Sequence, residues 1–242
     1  MKFINWLGLS AFLIGVVATL GYRFGFFPYN LAFLSFVLAM LVCALVLFIG
    51  IIFLAVFIFK KKRFHSELVP LLVACAIFPI LAFSGVGADI FKAPMIHDIT
   101  TDTDNPPVFA FIQPDDGYRV NSLVYPGEKV SAQQKLAYPD IQTFITLSPP
   151  RQVYQEAIFV ASLLGWEIIV KDLPSLRFEA ITRTPLFGFV DDIAVRITPI
   201  AAGGSAVDVR SMSRVGVSDL GTNAKRIRRF LGELEQELIN LQ

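Results

Sequence analysis

The sequence predicts an N-terminal three-helix transmembrane anchor followed by a C-terminal α+β domain, built as helix, four-stranded antiparallel meander, helix. Three observations predict it. Hydrophobic residues make up 55% of the 242 residues and mean hydropathy is +0.61, with the excess concentrated in about the first ninety positions. Late in the chain, runs alternate apolar and polar residues with the period of two that a half-buried strand requires. Those runs are framed by segments whose apolar residues recur every three or four positions, the period of an amphipathic helix.

The anchor comes first, over 1–88, with spans at about 4–21, 31–59 and 68–88. Each is an uncharged or nearly uncharged apolar run, and about twenty such residues cross a hydrocarbon core of ~30 Å. The middle run is longer than that thickness demands, so it tilts or overhangs. A cleaved signal peptide is the competing reading of the first run, because Lys2 precedes it. No small-x-small cleavage site follows, and two further spans make cleavage unnecessary for targeting. Lys60-Lys-Lys-Arg63 is the densest basic cluster beside any span, which keeps it in the cytoplasm. The N-terminus then lies inside and everything after Asp89 outside, in the periplasm of a bacterial inner membrane.

Charge divides the same way. The first 88 residues carry 6 basic and 1 acidic side chain, the remainder 15 basic and 19 acidic. An outer domain with a net charge of −4 and no basic stripe excludes nucleic acid as a partner. The lipid bilayer is the expected partner, with an envelope protein or an anionic amphiphile beside it. Both cysteines, Cys43 and Cys75, fall inside spans, so the outer domain holds no disulfide. His65 and His97 are expected on opposite sides of the membrane, and no metal or cofactor site is expected.

Residues 89–147 read as an extended, Pro-rich segment wrapped over the domain. Asp98, Asp102, Asp104 and Asn105 resemble a calcium loop only superficially, lacking its glycine and closing glutamate, so they read as turn formers. From 148 to 242 the pattern is globular. Ser148-Pro-Pro150 reads as an N-cap and first turn, and Val153, Ala157, Val160, Ala161 and Leu164 form an apolar face ending at Gly165. Trp166–Val170 and Leu176–Thr182 read as strands, and Phe187–Ile197 and Val207–Val215 as a hairpin closed over Pro199–Ser205. Pairing Ile197 with Val207 matches every apolar position, sets Arg196 across from Asp208, and places Asp191 opposite Ser213 on the apolar face. Short connections favour both helices on one face of the sheet.

The last strand turns through Gly216 and Gly221 into a helix with Leu220, Ala224, Ile227, Leu231, Leu234, Leu238 and Leu241 on one stripe. Ser218 or Asp219 is the expected N-cap. Lys225, Arg226, Arg228 and Arg229 sit near the positive end of this helix dipole and so need anionic company, from Asp191, Asp192 and Asp219 within or from a phosphate or carboxylate outside. Asp191, Asp192, Arg210, Ser211, Ser213, Arg214, Ser218, Asp219, Asn223 and Arg226 therefore form the candidate ligand-binding set. Asp192, Arg210 and Arg214 share the second sheet face, where a solvated charge lattice is the plainer expectation and an anion grip the sharper one.

Phe187-Gly-Phe-Val-Asp-Asp192 followed by Arg210-Ser-x-Ser-Arg-x-Gly-x-Ser-Asp-x-Gly-x-Asn-x-x-Arg226 resembles the signature of the bacterial and plastid family catalogued as domain of unknown function 1499, over roughly 94 to the C-terminus. Many members carry a cysteine-containing Pro-Asn-Cys segment before the first helix; this chain has Thr100-Thr-Asp-Thr-Asp-Asn-Pro-Pro107 there. The resemblance implies the fold and the place of the site, and no activity. Three readings of function follow. One is an envelope-associated binding or interaction module in which Arg210, Arg214 and Arg226 take an anionic group. Another is a hydrolase or transferase using Asp191 with Ser211 or Ser213, although no His stands in the stretch as a base. In the third, the polar motif is purely structural.

Overall fold

The computed structural model of the protein describes residues 2–60, 69, 72–76, 80, 93–113 and 119–241. By internal contacts the chain forms two compact units, Met1–Gly87 with Pro185–Gly188, and Ala88–Thr184 with Phe189–Gln242.

In the first unit, α1 (Lys2–Arg23) and α2 (Tyr29–Phe59) are long and apolar enough to cross a membrane. At ~1.5 Å per residue, α2 exceeds a ~30 Å hydrocarbon core. Its buried residues, Ala32, Phe36, Ala39, Cys43, Val46 and Gly50, recur every three or four positions, so one stripe packs against protein while Leu34, Leu41, Phe48 and Ile52 stay exposed. The third expected span, 68–88, lies largely outside the described residues, as do Lys61–Arg63; within that span Leu72–Ala76 are helical.

The second unit is an antiparallel sheet with helices. Its elements are β1 (Asp98–Thr100), α3 (Glu128–Ala137), β2 (Phe144–Thr146), α4 (Pro150–Leu163), β3 (Glu167–Asp172), β4 (Arg177–Arg183), β5 (Val190–Pro199), β6 (Ser205–Ser213) and α5 (Thr222–Asn240). Four consecutive strands, β3 to β6, pair antiparallel with their neighbours. The sheet nevertheless has six strands, not four. Both β1 and β2 lie along the outer edge of β6, β1 opposite its end at Arg210–Met212 and β2 opposite its start at Ser205–Val207. They come from the Pro-rich segment, and at three residues each they are too short to show alternation. Their effect is large, because β6 becomes an interior strand with all nine residues buried.

The hairpin register agrees with the expected one: Ile197 faces Val207, Arg196 faces Asp208 and Asp191 faces Ser213. One sheet face, carrying Phe178, Ala180, Ile193, Val195, Ile197, Val207 and Val209, packs on α4 and α5 through Val153, Ala157, Val160, Ile227, Phe230 and Leu234. Trp166 stacks on Phe230 with ring centroids 4.8 Å apart. Two helix expectations change. Pro149, not Ser148, occupies the N-cap of α4, while the Ser148 carbonyl accepts the Ser205 hydroxyl. In α5 the fully buried ring of Phe230 joins the stripe beside the partly buried Leu231, and Leu220 and Leu241 stay exposed.

Candidate functional site

The ten candidate residues fall on both sides of the sheet, because strand parity sends Asp191, Ser211 and Ser213 one way and Asp192, Arg210 and Arg214 the other. On the helical side they form one closed network. Arg226, in the second turn of α5, donates to Asp191 Oδ2 at 2.5 Å and to Ser211 Oγ at 2.8 Å, and it also meets Asn223 Oδ1. Ser211 Oγ donates to Asn223 Oδ1 at 2.7 Å. The Asn223 amide nitrogen donates to Ser213 Oγ at 3.2 Å and to the His97 carbonyl at 3.0 Å. A carboxylate, an arginine, an amide and two hydroxyls thus satisfy one another where β6 meets α5, as buried polar groups must.

The turn between these elements supplies the rest. Gly216 and Gly221 hold left-handed φ values of 90° and 81°, which glycine adopts without steric penalty. Gly221 is the N-cap of α5, so neither Ser218 nor Asp219 occupies that position. Asp219 still caps from two residues upstream, accepting the Gly221 and Asn223 amides at 2.9 Å each. Burial pushes its carboxyl up to about 6, against the pull of those amides. Ser218 Oγ donates to the Pro94 carbonyl at 3.1 Å.

The second face is not a solvated lattice. Arg210 is fully buried and forms a bidentate pair with Asp98 at 3.0 and 2.7 Å. It also donates to the carbonyls of Pro107 and Leu123, and its guanidinium lies 4.8 Å from the Phe109 ring centroid. Asp192 lies between two arginines, with Arg119 at 2.7 Å and Arg214 at 2.8 Å. Burial pushes the Asp192 carboxyl up to about 6, the charge of Arg119 opposing the rise. Burial also raises the Asp98 carboxyl, with Arg210 opposing. Arg196 joins Asp208 and Asp102, and Asp208 accepts the Thr101 and Thr143 hydroxyls.

The reason lies in what covers this face. Residues 105–113 and 119–127 cross it as an irregular strap, and such backbone brings amides and carbonyls that no helix or ladder satisfies. Side chains of the sheet satisfy them instead. The buried Glu179 carboxylate accepts the amides of Ala110, Phe111 and Ile112 at 2.6 to 3.1 Å, while Arg210 serves the carbonyls.

Several of these partners were not among the sequence candidates. Asp98 read as a turn former and is a strand residue paired to Arg210; Asp102 does form the expected turn, accepting the amides of Asp104 and Asn105. Arg119, Glu179 and Asp140 carried no local pattern, their partners lying 67 or more positions away. Asp140 meets Arg228 at 2.5 Å and thereby supplies anionic company to the basic cluster of α5, a role expected of Asp191, Asp192 and Asp219. Asp191 fills that role for Arg226, and Asp192 lies on the opposite face.

Arg210, Arg214 and Arg226 therefore do not converge; each ends on its own carboxylate, Asp98, Asp192 and Asp191 respectively. Among the described residues, surface openings lie elsewhere. A cavity of about 110 Å³ sits beneath Asn105–Val108 against Arg177–Glu179 and Ala194–Arg196, and a shallower groove of about 450 Å³ runs between Thr101–Asp104 and Tyr138–Thr143. None of the ten candidates lines either.

No curated protein matches the chain. The family model described as a protein of unknown function (DUF1499) matches residues 98–234, from the Asp98 that grips Arg210 to the Leu234 that packs α5 on the core. That span is more than half of the chain and takes in every strand among the described residues, and the chain belongs to the DUF1499 family.

Proposed function

We propose that the protein is a membrane-anchored, extracytoplasmic interaction module of a bacterial envelope, in which the polar motif is the internal frame of the domain. Recognition of an envelope partner or an anionic amphiphile then falls to the outer surface. The observation that carries this reading is the saturation of the motif. Its arginines, carboxylates and Asn223 are bonded to one another or to backbone, in a unit that follows two apolar helices of membrane length.

A hydrolase or transferase reading is supported less. The Ser211 proton points at an amide oxygen, which is no base, and Asp191 is engaged by Arg226. A nucleophilic serine needs a positioned base to accept its proton. With the basic cluster after α2 held inside, a crossing by the apolar run 68–88 carries the domain outside the cytoplasm. Reporter fusions after Gln242 test this: alkaline phosphatase is expected to be active there and a cytoplasm-dependent fluorescent protein dark, and the reverse pair of results would overturn the orientation.

A further inference from the structure

One end of the sheet domain carries an apolar surface that the core does not use. Met95, Val120 and Val217 are 67, 72 and 69% exposed, and Leu220 beside them is also exposed. Backbone contacts hold the four residues together. Ser218 Oγ bonds the Pro94 carbonyl and the Asp219 amide bonds the Ile96 carbonyl, so Met95 lies alongside Val217–Leu220. The amides of Val120 and Asn121 both bond the Arg214 carbonyl, and the Asn121 side chain donates to the Gly216 carbonyl, which ties Val120 to the same turn. Leu220 holds a φ of 54°, in the left-handed region that residues other than Gly, Asn and Asp rarely adopt. A branched apolar side chain is thus kept in an unfavourable backbone conformation and turned towards solvent.

The register identifies which end of the sheet this is. Arg183 pairs with Val190, Asp191 with Ser213, and the Arg214 amide bonds the Val190 carbonyl. Strand β4 therefore ends, and β5 begins, at the same end as Val217, with the Thr184 amide bonded to the Phe189 carbonyl. The chain also arrives here. The apolar run 68–88 ends six residues before Pro94, and six residues reach no more than ~21 Å even when fully extended.

We propose that Met95, Val120, Val217 and Leu220 form a bilayer-facing collar that rests in the headgroup and upper acyl region of the membrane that anchors the chain. The inference rests on the membrane-anchored reading above. A short tether brings the collar within reach of the bilayer, and burial of apolar side chains in the interface supplies the attraction. The collar fixes the end of the domain turned to the lipid, leaving the opposite end, where β2 and the β5–β6 connection lie, for a partner in the aqueous space.

The test uses the full chain reconstituted in phosphatidylcholine and phosphatidylglycerol vesicles, with an environment-sensitive fluorophore on Val217→Cys, on Val120→Cys or on Leu147→Cys. Leu147 is exposed at the other end of β6, and wild-type protein carried through the same labelling corrects for Cys43 and Cys75. Lipids with nitroxide-bearing acyl chains are expected to quench the labels at 217 and 120 several-fold more than the label at 147. Equal quenching at the three positions, or none at 217 and 120, would overturn the collar while the protein still floats with the vesicles. Failure to float would instead sink the anchored reading, and the collar with it. Two collar positions guard against one variant that does not fold.

Discussion

The two faces of the sheet are covered by different kinds of chain, and they are correspondingly different inside. Helices α4 and α5 arrive with their backbone groups already paired, so the face beneath them is apolar apart from the one network at the start of α5. The strap over the second face arrives with unpaired amides and carbonyls and its own Arg119, and that face is built of Asp98, Glu179, Asp192, Arg210 and Arg214. Buried charge here is the counterpart of irregular backbone: each ionic group answers either another ion or a strap peptide.

The sharpest way to break this comparison is Arg210→Met, which leaves the Asp98 carboxylate buried without its cation. Loss of about 3–5 kcal/mol is expected in unfolding of the detergent-solubilised protein, as for other broken buried pairs. The double change Asp98→Asn with Arg210→Met is expected to recover part of that loss, since no charge is left stranded. A loss under 1 kcal/mol in the single variant would mean that the second face is wetter than its burial implies.

Next in size is Glu179→Gln. Glutamine offers one carbonyl oxygen where the carboxylate offered two, so three strap amides compete for it, and about 1.5–3 kcal/mol is expected to be lost. Hydrogen exchange is the discriminating measurement: the amides of Ala110, Phe111 and Ile112 should exchange faster while those of α4 keep their protection. Uniform acceleration would show that strap and helices unfold together, and the contrast between the faces would lose its energetic meaning.

The remaining effect is spread over pH, and it probes both faces at once. Asp192 and Asp219 have folded-state carboxyl pKa values raised to about 6, against about 4 in the unfolded chain. A raised carboxyl binds its proton more tightly in the folded state, so its stabilising contribution is complete below pH ~4 and is lost as pH rises to about 6. Each group contributes at most about 1.4 kcal/mol per pH unit in that window. Asp219→Asn is expected to remove its own share of the slope, leaving the parts owed to Asp192 and to the likewise raised Asp98. The thermal midpoint measured between pH 4 and 7 checks this, and an unchanged slope would place the titration elsewhere.

Much of the domain was legible because its information is local. The hairpin register followed from alternation over runs of eleven and nine residues, and it placed Arg196 against Asp208 and Asp191 against Ser213 as found. The closeness of Asp191, Ser211, Ser213, Asn223 and Arg226 followed from the same register, together with the helix that starts nine residues after β6 ends. What did not follow was anything carried by three-residue strands or by irregular chain. β1, β2, the nest around Glu179 and the pair of Asp98 with Arg210 join positions separated by dozens of residues, where no period exists to be read.

The sequence by itself determined the long apolar N-terminal helices, the order of β3 to β6 and most of the stripe of the last helix, since hydrophobic patterning acts over one or two turns of chain. Only the tertiary structure decided that β6 is an interior strand, that the second face is covered by a strap, and that Arg210, Arg214 and Arg226 end on three separate carboxylates. The physical reason is that desolvation belongs to the assembled layers: whether an arginine meets water, a ligand or an aspartate depends on which distant segment is laid over it.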